Sequence, residues 1–126
     1  MNKLIIDVGS EKIFLMIISN ASIYNITHEN TKINYEKLTI IINDFLSSKN
    51  IKITDINAIY INQGSGSFAG IRNSMSVVKA FNIAKNIDYY CYNLDDFKDE
   101  KDLSYENIPN LCKKYKIKKN LINPVY

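Results

Sequence analysis

The stretch Ala58-Ile59-Tyr60-Ile61-Asn62-Gln63-Gly64-Ser65-Gly66-Ser67-Phe68-Ala69-Gly70-Ile71-Arg72 decides how this chain is read. It holds three of the four glycines and the only arginine, every other basic side chain being lysine. An apolar run leads in and a helical pattern leads out, so the segment reads as a strand, a tight glycine turn and the N-terminus of a helix. Such a turn points backbone N–H groups at one spot, which suits an anion. It also suits close packing of one backbone on another, since glycine has no side chain in the way. Two common phosphate loops are excluded. A Walker A loop ends in G-K-[ST], whereas Gly70 is followed by Ile71-Arg72. A dinucleotide fingerprint is G-x-G-x-x-G with an acidic residue about 20 positions on, whereas the spacing here is G-x-G-x-x-x-G with no such acid.

Upstream, Lys3–Val8 and Lys12–Ser19 are apolar almost throughout and are separated by Gly9-Ser10. After Asn20-Ala21, the run Ser22–Thr27 alternates Ile23 and Ile26 with polar neighbours. The pattern predicts three strands joined by hairpins, with the first two central and covered on both faces. Tyr35–Leu46 carries Leu38, Ile41, Ile42 and Phe45 at i, i+3, i+4 and i+7. It predicts a helix that Asn34 can cap, with Ile40 on the opposite side. Ile56–Asn62 is the fourth strand, Phe68–Asn86 a second helix and Tyr89–Tyr92 a fifth strand. The second helix has Ile71, Met75 and Val78 on one stripe and Val77, Ala80, Phe81 and Ala84 on another. A helix apolar over so much of its circumference predicts burial on two sides. The order β-β-β-α-β-α-β is that of a single actin-like or ribonuclease-H-like lobe, an α/β fold with three antiparallel strands followed by parallel additions and a short C-terminal tail.

At 126 residues the chain reads as one domain with a tail: a lobe over 1–97, then a charged linker and closing segment over 98–126. Ile, Asn and Lys number 22, 17 and 15, a bias that weakens any argument from a single Lys or Asn. The net charge of +3 does not announce a nucleic-acid binder. Its distribution is uneven: residues 95–106 are acidic, while Lys113, Lys114, Lys116, Lys118 and Lys119 crowd the tail. Acidic linker and basic tail are expected to attract each other; an RNA-phosphate contact by the tail is the sharper alternative. Cys91 and Cys112 form no C-x-x-C, and His28 is the one histidine, so no zinc-ligand spacing exists. Cys91 is read as a core residue and His28 as a surface residue at a strand end. Asp7 and Glu11 interrupt the first apolar stretch, which is read as neither a signal peptide nor a membrane span, with the cytoplasm as the default location.

Gly64-Ser65-Gly66-Ser67-Phe68-Ala69-Gly70-Ile71-Arg72 is similar to the G-P-G-S-F-T-G-L-R signature of the bacterial accessory subunit for tRNA threonylcarbamoyladenosine (t6A) synthesis, formerly filed with the M22 glycoprotease-like proteins. Leu4-Ile5-Ile6-Asp7 resembles that family's opening strand, Glu36–Leu46 its first helix, and Ile53-Thr54-Asp55-Ile56-Asn57-Ala58-Ile59 its approach to the glycine strand. Ser65 and Ala69 depart from the signature, and Asp7-Val8-Gly9-Ser10 stands where the family has D-T-S/T. Asn123-Pro124-Val125-Tyr126 resembles the family's closing P-x-Y-L-R without its last two residues. On the resemblance, most of a second lobe is expected to be missing.

The resemblance implies a non-catalytic scaffold or activator subunit. It implies pairing with the catalytic threonylcarbamoyl transferase paralogue through the two helices, at Ile40, Val77, Ala80, Phe81 and Ala84, with a P-loop ATPase subunit joining the pair. Whether the chain alone forms a homodimer through the same helices is left open by the sequence, and any tRNA contact is expected to be indirect or weak. No cofactor is expected beyond ADP or ATP at the partner interface. A rival reading is a minimal nucleotide-binding enzyme using Asp7, Gly9 and Ser10 with the glycine turn; the bland reading of those three residues is a hairpin turn. No Ser–His–Asp or Cys–His arrangement supports a protease.

Overall fold

A computed structural model describes residues 1–64 and 68–122, the Phe68 side chain excepted. Ser65, Gly66 and Ser67 of the glycine turn and the closing segment 123–126 lie outside the described residues. Five strands form one sheet in the order β3-β2-β1-β4-β5: β1 Asn2–Asp7, β2 Lys12–Ile18, β3 Ile23–Glu29, β4 Ile56–Gly64 and β5 Asp88–Asn93. The first three pair antiparallel, and β1–β4 and β4–β5 pair parallel.

Successive side chains of a strand point to opposite faces, and that rule sorts the apolar runs into two cores. Leu4 and Ile6, Ile13, Leu15 and Ile17, Ile59 and Ile61, and Tyr89 and Cys91 face one side. Ile5, Met16, Tyr60 and Tyr92 face the other. Strands covered on both faces need no polar alternation, which explains the continuous apolar runs of β1 and β2. β3 is an edge strand and keeps the alternation, with Tyr24 and Ile26 turned inward.

The first face is covered by three helices, α1 Lys32–Glu36, α2 Leu38–Ser48 and α3 Phe68–Lys85. The expected single helix over 35–46 is thus two helices, and it starts earlier. Thr31 caps α1 by accepting from the Asn34 amide, while the Asn34 side chain donates to the Glu29 carbonyl instead. At Lys37 the backbone leaves helical values, and its N–H bonds to the Asn34 and Tyr35 carbonyls, tightening the turn between the two helices. α2 buries Leu38, Ile42, Phe45 and Leu46 and closes with a Schellman motif: Ile51 N–H bonds to the Leu46 carbonyl, with Asn50 in the left-handed region at φ 58°. α3 turns Ile71, Ser74, Met75, Val78 and Phe81 to the sheet, and the Ser74 hydroxyl is satisfied by the Ile71 carbonyl.

The second face is covered by the residues after Asn93. A 3-10 turn over Leu94–Phe97 is held by a capping box between Asn93 and Asp96 and places Phe97 in the core. A further turn at Tyr105–Asn107 leads into α4, Ile108–Lys114, with Pro109 in its first turn. α4 buries Ile108, Leu111 and Cys112 against Ile5, Met16, Tyr60 and Tyr92. The stretch read as a charged linker is therefore a packed layer with its charges on the outside. Lys114 and Tyr115 both reach Glu100, which realises the expected attraction between acidic and basic segments. The chain then returns to β5, where the Asn120 backbone and side chain bond to both the carbonyl and the amide of Tyr89.

Candidate functional site

β1 and β4 run parallel side by side, so their C-terminal ends bring Asp7, Asn62 and Gln63 together. Open α/β sheets use this edge for ligands. Here Asp7, only 7% exposed, accepts from the Gly9 amide at 2.9 Å, the Asn62 side chain at 3.1 Å and the Tyr105 hydroxyl at 2.8 Å. Tyr105 arrives from the second layer and stacks on Phe14 at 4.0 Å between ring centroids. Burial first, then the charge and hydrogen bond of Asp7, push the Tyr105 hydroxyl well above the usual tyrosine range, so it remains a donor. Tyr92 is raised for the same leading reason, with Asp7 and Tyr105 adding to it. Asn62 is fixed at its other end, its carbonyl accepting from the Gly64 amide.

This arrangement locates each residue of the candidate nucleotide contact. Asp7 has three donors from the chain itself. Gly9 supplies one of them in the turn between β1 and β2. Ser10 is exposed, with its hydroxyl on the Lys12 backbone, and Asn30 ties the Val8 and Ser10 carbonyls. The four residues form a hairpin turn braced by local hydrogen bonds. Among the described residues, no three His, Cys, Asp or Glu side chains come together to hold a metal ion.

The glycine segment leads to a different surface. Gly64 ends β4 and is buried, and Gly70 is buried in the first turns of α3. Arg72 is exposed between two open grooves. One, of about 310 Å³, lies against α1 at Tyr35 and Glu36. The other, of about 470 Å³, is lined by Met75, Ser76, Lys79, Ala80 and Ile83 of α3 and by Ile122. Of the residues expected at a partner interface, Ile40, Ala80 and Ala84 are exposed and Val77 is half-buried, whereas Phe81 belongs to the core. Among the described residues, the sheet side of α3 is buried, while its outer side carries small side chains beside Ile83, which is 75% exposed. Sequence reading missed Ile83, although Ser76, Ala80, Ile83 and Ala84 share one helical face. It also missed Tyr105, whose role needs a contact 98 residues away in the chain.

No family model and no curated protein matches the chain. Solved structures do. YeaZ from Pseudomonas aeruginosa is similar at TM-score 0.67 and 17% identity over 73% of this chain and 43% of that one. A protein described as having similarity to peptidase YeaZ, also linked to P. aeruginosa, gives the same values. RuvC from Thermus thermophilus, solved in complex with a Holliday junction substrate, is similar at TM-score 0.54 and 10% identity over 78% of this chain and 68% of that one. The chain thus spans less than half of the YeaZ chain it matches. YeaZ is the t6A-synthesis subunit of the M22 glycoprotease-like family whose glycine signature residues 64–72 resemble. At these identities the likeness establishes architecture: the chain is built as the single ribonuclease-H-like lobe common to YeaZ and RuvC.

Proposed function

We propose that this chain is a non-catalytic scaffold subunit of the tRNA t6A threonylcarbamoyl transferase machinery. In this reading it seats the catalytic paralogue on the outer faces of α2 and α3, and a P-loop ATPase subunit joins the pair. The observation that carries the reading is the outer side of α3: small residues and a bare isoleucine, on a helix that follows a glycine segment similar to the family signature. Small side chains let a second helix approach closely, and Ile83 with Ile40 gives it apolar surface to cover. The engaged state of Asp7 supports a scaffold over a phosphoryl-transfer enzyme, since a carboxylate with three donors of its own chain has little left for a magnesium ion or a nucleotide.

A stable interface of this kind buries about 1,200–2,000 Å² in total. Co-expression with the host's transferase paralogue is expected to give a complex on size exclusion and to raise t6A formation. Ala80→Asp and Ile83→Asp each place a carboxylate on that helix face and are expected to abolish co-elution while the isolated chain keeps its thermal transition. Co-elution that survives both substitutions would put the interface elsewhere.

A further inference from the structure

The second face of the sheet is only partly covered. α4 is two turns long, and between it and the N-terminal halves of β1, β4 and β5 lies an open cleft of about 490 Å³. That is the size range of small-molecule sites, which are mostly apolar with a few placed polar groups. The floor is a pair of tyrosines in register on neighbouring parallel strands, Tyr60 and Tyr90, stacked with centroids 5.0 Å apart and planes 11° apart. Tyr60 is buried and Tyr90 is half-exposed. Pro109 and Ile117 form apolar walls.

The rim is made of cations. Lys3 shares the parity of Ile5 in β1, which turns it to this face, and Lys113 and Lys116 come from the end of α4 and the residue that closes it. The neighbouring lysines are neutralised locally, Lys114 by Glu100 and Lys119 by Asp88. Lys3, Lys113 and Lys116 have no ion pair with any described residue, and no carboxylate among the described residues lines the cleft. Three like charges around one cavity repel one another, and an anion between them relieves that repulsion. Burial pushes the Tyr60 hydroxyl up to about 12, with Tyr90 and Cys112 adding to it, so it is a neutral donor at physiological pH.

We propose that this cleft binds a nucleoside phosphate, the base lying on the half-exposed Tyr90 ring and the phosphate among Lys3, Lys113 and Lys116. Stacking on an aromatic ring accepts any base, and lysines read the phosphate as charge. The same chemistry is met in a free nucleotide and in one unit of a single-stranded RNA. The site is on the opposite side of the sheet from the helix faces of the preceding subsection and stands or falls independently of them.

The test uses the full chain labelled for NMR and titrated with AMP, with a short single-stranded oligoribonucleotide and with inorganic phosphate. AMP is expected to move the amide signals of Lys3, Tyr90 and Lys113 while those of α2 and α3 stay in place. The double variant Lys113→Glu/Lys116→Glu is expected to weaken AMP by at least about tenfold with its thermal transition unchanged, because both side chains are exposed. An oligoribonucleotide binding through the same signals, at least about tenfold tighter than AMP and with affinity falling as salt rises, identifies a strand as the source; equal affinity identifies a free nucleotide. Absence of binding by either at millimolar concentration overturns the proposal. So does binding unaffected by the double variant, or inorganic phosphate binding as well as AMP.

Discussion

The two faces of the sheet are covered in different ways. On the first, three helices bury a mainly aliphatic core of Ile, Leu, Val and Met in a periodic pattern, with Phe45, Phe81 and Tyr89 set singly among them. On the second, turns and one short helix bury an aromatic cluster, with Tyr60, Tyr92 and Phe97 at its centre and Phe14, Tyr90, Tyr105 and Tyr115 around it. Long-range polar contacts pin that cluster: Tyr105 to Asp7 at one end of the sheet, Asn120 to the Tyr89 backbone at its edge. A helix face gains its stability from many interchangeable contacts. An aromatic cover of short elements depends on a few, since turns of three or four residues have little helical stability of their own.

The comparison breaks most decisively at Phe97. Its ring is fully buried, packed with Tyr92 at 6.2 Å and Tyr115 at 5.4 Å between centroids. Phe97→Ala is expected to cost about 3–5 kcal/mol, the range for a buried aromatic ring replaced by a methyl group. Denaturant unfolding followed by tyrosine fluorescence and by circular dichroism would read it. If the second layer is an integral half of the fold, both probes shift together. A loss of tyrosine signal at unchanged helix content would mean instead that residues 94–122 detach as an appendage.

Alkaline pH separates the faces by chemistry. Burial raises Tyr60 to about 12 and raises Tyr92 and Tyr105 as well, and all three belong to the second face. Burial also raises Cys91 and Cys112 to about 12, one on each face. Each folded value lies above the unfolded one, so the unfolded chain releases these protons first. The stability they contribute is whole below about pH 9, declines as the unfolded thiols and then the phenols ionise, and is lost as pH rises through the folded values. Hydrogen exchange at rising pH is expected to release the α4 amides before those of α2. Simultaneous release would show that the three tyrosines do not distinguish the faces.

What could be read in the sequence follows the same division. The period-3.6 stripe of Leu38, Ile42 and Phe45, the apolar runs of β1 and β2 and the alternation in β3 are local signals, and the first face was legible from them. Lys37 is an ordinary residue at a helix break, so nothing local separated α1 from α2. Residues 94–122 are rich in charge because their outer side is solvated. The few residues that hold them down, Phe97, Ile108 and Leu111, are too widely spaced to make a period. The candidate site was legible as to position, at the ends of β1 and β4. Its state was not, because the group that engages Asp7 stands 98 residues away.

Tyr105→Phe is the smallest and sharpest cut across the comparison. It keeps the ring on Phe14 and removes only the oxygen that donates to Asp7. Packing should survive, so the loss isolates the polar tie. A buried acceptor deprived of one partner costs about 1–3 kcal/mol. Asp7 retains two donors, from Gly9 and Asn62, which places the expected loss at the low end. The second variant of the cycle, Asp7→Asn, changes the acceptor while keeping its size. If the hydroxyl acts through Asp7, Tyr105→Phe costs less in the Asp7→Asn background than in the native chain, and the difference is the coupling between the two layers. Equal costs in both backgrounds would mean that the second layer is held by its aromatic packing alone, and that Asp7 is engaged by the first layer without it.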